Sequence, residues 1–387
     1  MTSIIGSIVR GALVALAMIV TVQATPVVPT RDDQVIEVLP AAAADRSEER
    51  RLRREWSANP RDVAKSVALA KRYLDQAHEI GDPRYAGQAL AVLQAWPDPA
   101  KAPDEVLLIV ATIQQYLHEF DIAAANLERL VARKPQDSQA WLTLATVRRV
   151  QGRYPASDQA CAGVAATGAV LYARACQAEN DGLHGDFDGA RSLLTRLLAT
   201  PRLPASTQNW LLTTLAELEA RAGMPAAAET AYIAALKASP DGYTTLSYVD
   251  FLLFQDRDAD ALTQLATQPR TDEVLLRLAI AGTRAGTLQG KRDAREVRDR
   301  TSLANLRPEA RTTHAREAAM VALWLDKQPA EALKLAMLDV KHQREPLDVL
   351  LLAQVARVTN QPEGLREADR VAREMGLQDR RLDALLR

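Results

Sequence analysis

Apolar positions along this chain return with a long period. Trp141, Leu144, Ala145, Gly152 and Tyr154 spell W-x-x-L-A and then G-x-Y. Leu107 lies 34 residues before Trp141, and Ala111, Ala123, Leu127, Leu130 and Pro135 follow it at the matching offsets. Gly185, Phe187, Ala190, Leu194 and Leu197 supply the second half of another unit. Leu212, Leu215, Ala216, Gly223, Ala228, Tyr232, Ala235 and Pro240 supply a further one. Proline recurs between the halves, at Pro155, Pro225, Pro329 and Pro362, where the first turn of a helix leaves its N–H without a partner in any case. Pro135, Pro240 and Pro346 separate one pair of helices from the next.

These positions resemble the tetratricopeptide repeat, a unit of two antiparallel helices. The resemblance implies an all-α fold: a right-handed solenoid of about eight or nine stacked helix pairs. The residue types suit it. Small Ala111, Ala145 and Ala216 let paired helices approach, and Leu127, Leu194 and Tyr232 fill the space left beside them. One unit cannot bury its apolar face alone, so neighbours must stack.

The period drifts away from the centre. Val63 to Trp96 reads as a pair turning at Gly81 to Tyr85, and Tyr243 to Gln268 as a pair with a weak turn at Asp256 to Asp258. From Thr271 a helix runs to about Ala285 and a charged one from Leu288 to Leu303, with further pairs starting near Pro308 and Pro346. Gly376 to Arg387 reads as a helix covering the apolar end. The expected organisation is a repeat array over 56–270 and repeat-like pairs over 271–387, with a change of array near 268–271.

Residues 1–24 read differently. Gly11 to Val22 is apolar or small apart from Thr21, and Val22-Gln23-Ala24 has small-x-small spacing for cleavage. Twelve residues fall short of the ~20 that span a bilayer. A cleaved secretory signal is expected, then a linker over 25–55 that turns helical by about Ser47. The implied place is the periplasm; the alternative is an inner-membrane anchor facing it.

Composition agrees with helices: 69 Ala and 52 Leu against only 17 Gly among 387 residues. A net charge of −1 gives no electrostatic reason to bind nucleic acid. Catalytic patterns are missing: the five His stand singly, and no metal-ligand spacing, nucleophile motif or C-x-x-C pair occurs. Gly286 to Arg292 is one residue short of a phosphate loop and has Arg where Ser or Thr is needed. Gly185 to Gly189 reads as a helix–helix turn rather than a calcium loop. The arginines between Arg46 and Arg54 alternate with carboxylates, as on a solvated helix face. No enzyme, metal or cofactor is expected.

The resemblance implies an inner groove lined by the first helix of each pair. Its positions correspond here to Thr112 and Tyr116, Arg149, Trp210, Glu217 and Arg221, and Tyr243 and Asp250. Members that clamp a peptide carboxylate carry Lys, Arg and Asn at two positions where this chain has Leu, Thr, Glu and Asp. The expected role is a non-catalytic scaffold in the cell envelope that binds a protein or peptide. The alternative is an extended polysaccharide held during polymer export. Membrane contact is expected only through an uncleaved N-terminus or a membrane-complex partner. Cys161 and Cys176 lie seven and eight residues either side of Gly168, on what read as adjacent antiparallel helices. Their α-carbons then sit at one height, which places a disulfide within reach in an oxidising compartment.

Overall fold

The computed structural model describes residues 42–304 and 314–387. The expected signal peptide and the expected helix start at Pro308 lie outside them, as does the part of the expected linker before Ala42. Among the described residues there is no strand.

Helix α1 (Ala42–Ala58) begins five residues ahead of the expected Ser47. From Glu49 onward it packs on α2: Gln76 donates to Glu49, and Arg53 donates to the Tyr73 hydroxyl at 2.6 Å. Nine helix pairs follow. They are α2 (Val63–Ile80) with α3 (Pro83–Val92), α4 (Asp104–Tyr116) with α5 (Phe120–Arg133), and α6 (Ser138–Val150) with α7 (Tyr154–Ala166). Next come α8 (Val170–Leu183) with α9 (Phe187–Leu198), α10 (Ala205–Arg221) with α11 (Pro225–Ala238), and α12 (Gly242–Phe254) with α13 (Asp258–Leu265). The last three are α14 (Asp272–Arg284) with α15 (Leu288–Ala304), α16 (Ala315–Met320) with α17 (Pro329–His342), and α18 (Pro346–Val358) with α19 (Pro362–Met375). A π-helical turn, Val321–Leu325, extends α16, and α20 (Arg380–Leu386) ends the chain. The array lies within one compact unit, Glu49–Arg387, and α13 packs directly on α14 across the expected change of array.

Local signals fix the helix ends. Pro155, Pro225, Pro329 and Pro362 each occupy the first turn of a second helix. Asp62, Asp137, Asp186, Asp241 and Asp379 each accept a backbone N–H at a helix start, the hydrogen bond that an N-cap supplies. Every turn inside a pair carries one residue with left-handed φ. In chain order these are Gly81, His118, Gly152, Gly185, Gly223, Asp256, Gly286, Lys327 and Asn360. That conformation ends a helix without leaving its last carbonyls unpaired, and glycine adopts it without a Cβ clash.

The superhelix returns onto its own edge. The turn after α2 meets the start of α14: a Cβ on Gly81 would stand 2.6 Å from the Thr271 Cβ. Past α4, His118 faces His314 at the start of α16, with ring centroids 6.2 Å apart. After α6, the Val150 carbonyl accepts from the Arg344 N–H at 2.7 Å, just before α18. After α8, the Leu183 carbonyl accepts from the Gln378 N–H at 2.8 Å, just before α20. Pairs one to four thus abut the seventh, eighth and ninth pairs and α20, each six places on. Tyr154 and Leu183 share one apolar cluster with Met375, Leu377 and Leu382 across this seam.

Candidate functional site

First helices face inward in such an array, so the returning edge encloses what they present. The space they border is a cavity of about 850 Å³ that stays partly open to solvent. Its wall comes from α10 (Glu217, Arg221), α12 (Tyr243, Ser247, Asp250) and α14 (Glu273, Arg277). The return edge adds Arg316 and Glu317 on α16, Glu345 before α18 and Arg381 on α20. A groove open along the whole inner face was expected. The later turn closes over it because each pair is rotated against the last, and six rotations bring the edges together.

The eight expected groove residues divide evenly. Glu217, Arg221, Tyr243 and Asp250 line the cavity. The other four are absent from its lining and have partners within the array. The Tyr116 hydroxyl donates to the Ala77 carbonyl at 3.1 Å, and burial pushes its pKa up to about 12. Thr112 donates back to the Leu108 carbonyl, and Trp210 stacks on Tyr172 with centroids 6.0 Å apart. Arg149 is buried, paired with Glu179 at 2.8 Å and donating to Asn180 and Ser157. Arg149 joins one pair to the next rather than offering a free charge.

Within the cavity, Tyr243 leaves 63% of its surface exposed. Its hydroxyl donates to Glu217 Oε1 at 2.8 Å, and the Ser247 hydroxyl donates to the same oxygen at 2.9 Å. Burial holds the Glu217 carboxyl above its usual range, and its charge pushes the Tyr243 phenol up. Asp250 is taken by Arg277 in a two-pronged ion pair at 2.5 and 2.7 Å. Arg316 pairs with Glu345 and the buried Asp348, and Arg381 pairs with Asp379 at 2.6 Å. Arg221 is only 5% exposed, and its Nε has no hydrogen-bond partner.

Glu273, Arg277, Arg316, Glu345 and Arg381 were not expected in the site. The position rule that selected Tyr243 on α12 also selects Glu273 on α14. Arg316, Glu345 and Arg381 carry no such signal, because they arrive from the returning edge.

Cys161 on α7 and Cys176 on α8 are bonded, with S–S 1.97 Å and α-carbons 5.6 Å apart. No group of metal-ligating side chains occurs among the described residues, and none of their helices is long and apolar enough to cross a membrane.

No family model matches the chain, and no curated protein matches it. Solved structures similar to it include the following three. A tetratricopeptide repeat protein from Parabacteroides merdae shares 16% identity at a TM-score of 0.46, over 58% of this chain and 86% of that one. PilF from Pseudomonas aeruginosa shares 11% at 0.37, over 51% and 90%. The tetratricopeptide repeat domain of P58(IPK) shares 15% at 0.23, over 84% and 96%. The chain is an α-solenoid of helix pairs. On the inner wall an accessible aromatic ring, Tyr243, and the larger of the two cavities named among the described residues coincide.

Proposed function

We propose that this solenoid is a non-catalytic scaffold that holds an extended peptide segment of a protein partner inside its closed turn. The carrying observation is Tyr243, an accessible aromatic ring on the wall of a cavity whose volume suits a short segment. Ion pairs such as Asp250–Arg277 fix the wall in advance, which lowers the ordering cost of binding. We also propose that the protein works in the bacterial periplasm. The apolar N-terminal run and the bonded cysteine pair support that placement.

The test is affinity capture from envelope extract with the wild type and with Tyr243→Ala. One stoichiometric protein should return with the wild type and be lost with the variant. Retention on glycan with no protein recovered would replace this reading with the polysaccharide one.

A further inference from the structure

We propose that the seam is a pH-operated latch: acid charges the histidines gathered along it, His118 against His314 above all, and parts the closed turn. The chain has five histidines, which stand singly in the sequence. The fold brings all five to the seam. His78 is in the last turn of α2, three residues before Gly81, which abuts Thr271. His118 and His314 face each other directly. His184 follows Leu183, whose carbonyl accepts from Gln378, and a Cβ on Gly376 would stand 3.3 Å from its Nδ1. His342 ends α17, two residues before Arg344, whose N–H crosses to Val150. Histidine is the side chain that ordinarily titrates between about pH 5 and 8, so mild acid adds charge at this edge.

His118 is the centre of the response. Its half-buried ring lies in the turn after α4, stacked on Phe120 with centroids 5.3 Å apart and 6.2 Å from His314. Beside it in its own turn is the exposed Glu119. The returning edge presents His314 just before α16, Arg316 and Glu317 on that helix, and Glu345 just before α18. Burial, helped by Arg316 and His314, holds the His118 pKa below its ordinary value against the pull of Glu317 and Glu345. Burial lowers His78 in the same way, against Asp75 and Asp241. His184 differs, because Asp158 stands 3.6 Å away on its own side of the seam to meet a charge.

The closed turn therefore favours neutral rings at His118 and His78, and a parted seam returns them to water and to their ordinary pKa. Closure is fully present above the ordinary histidine range and weakens as pH falls through it. A charge on His314 adds to this. Like charges 6.2 Å apart shift an equilibrium about threefold even at the permittivity of water. The latch is independent of what the cavity holds.

Buried carboxyls behind the seam respond the other way. Glu273 on α14, Asp339 on α17 and Asp348 on α18 are held above the ordinary carboxylate range, chiefly by burial, so acid stabilises the folded chain through them. Melting curves add the two effects together, so the latch has to be read at the seam itself.

Two amides report on it. The Arg344 N–H is bonded to the Val150 carbonyl and the Gln378 N–H to the Leu183 carbonyl, and both bonds need a closed seam. Amide hydrogen exchange of the full chain, corrected for the pH dependence of the chemical exchange step, gives their opening constants. From pH 8 to pH 5 these should rise by about threefold or more, while amides within α10 and α11 change little. His118→Phe, which keeps a ring on Phe120 but cannot be charged, should abolish the rise. His314→Gln, on the exposed side of the contact, should reduce it. Opening constants that stay level in the wild type would overturn the latch. So would an equal rise in both variants, or a rise shared by α10 and α11, which marks general loosening rather than a parting seam.

Discussion

Gly152→Ala tests the seam that encloses the cavity. Gly152 has φ +69°, where an alanine costs about 1 kcal/mol or more. A second cost comes from across the seam. The new Cβ would stand 2.8 Å from Met375 Cγ and 3.0 Å from Arg344 Cβ. Neither atom has room to move: Met375 is buried, and the Arg344 backbone N–H is bonded to the Val150 carbonyl. Overpacking of this kind costs about 1–3 kcal/mol, so the total is about 2–4 kcal/mol. Gly286→Ala is the control, because Gly286 has φ +72° and nothing within 4 Å of its added Cβ. Repeat arrays unfold regionally, so the measurement is amide hydrogen exchange resolved by segment. In Gly152→Ala, protection should fall first in α18 to α20, with α10 and α11 little changed. In Gly286→Ala, the loss should stay near α14 and α15. Equal losses in both variants, with α18 to α20 unaffected by Gly152→Ala, would refute the closed turn.

Three further outcomes are expected. Mass spectrometry of the unreduced, unfolded chain should find Cys161 and Cys176 closed to alkylation. Reducing this 15-residue link should cost about 3 kcal/mol in the chain-entropy model. Lys327→Gly should stabilise the fold by about 0.5–1 kcal/mol in chemical denaturation, because Lys327 is exposed and holds φ +56° where glycine is free of strain. Asp339 on α17 should make stability fall as pH rises: burial first, then the negative charge of Asp348, raise its pKa against the opposing pull of Arg316. The folded protein therefore keeps a proton that the unfolded chain has already lost, so stability declines from the ordinary carboxylate range upward. Asp339→Asn should flatten that decline in melting curves run from pH 5 to 8, and an unchanged slope would refute the assignment.

The helix pairs were legible in the sequence where local chemistry writes them. Pro155 and Pro225 mark helix starts, and Gly152, Gly185 and Gly223 mark the turns before second helices. Legibility faded where other residues take the same backbone conformation. His118, Asp256, Lys327 and Asn360 close their first helices with left-handed φ but look like any polar residue in the sequence. The site divides the same way. Glu217, Arg221, Tyr243 and Asp250 follow from their helical positions, because inward direction is a local property of each first helix. Arg149 and Tyr116 satisfy the same rule yet are consumed by neighbouring pairs, since position does not reveal which partner lies within reach. The closure is the least legible feature, because it comes from small rotations added over six pairs. Neither Gly152 nor Arg344 announces the other.

The paired edges also fix how this molecule is able to change in length. An open helical array grows by duplicating a segment, because each copy needs only its two neighbours. Here Gly81 is matched to Thr271, Gly152 to Met375 and Arg344, and Gly185 to Gln378. A repeat inserted between α9 and α10 would slide the later edge by one tooth, as in a zip fastened out of step, and every matched contact would miss. Copy number is therefore fixed by the geometry of the seam, whereas side chains on the inner wall can change without moving it.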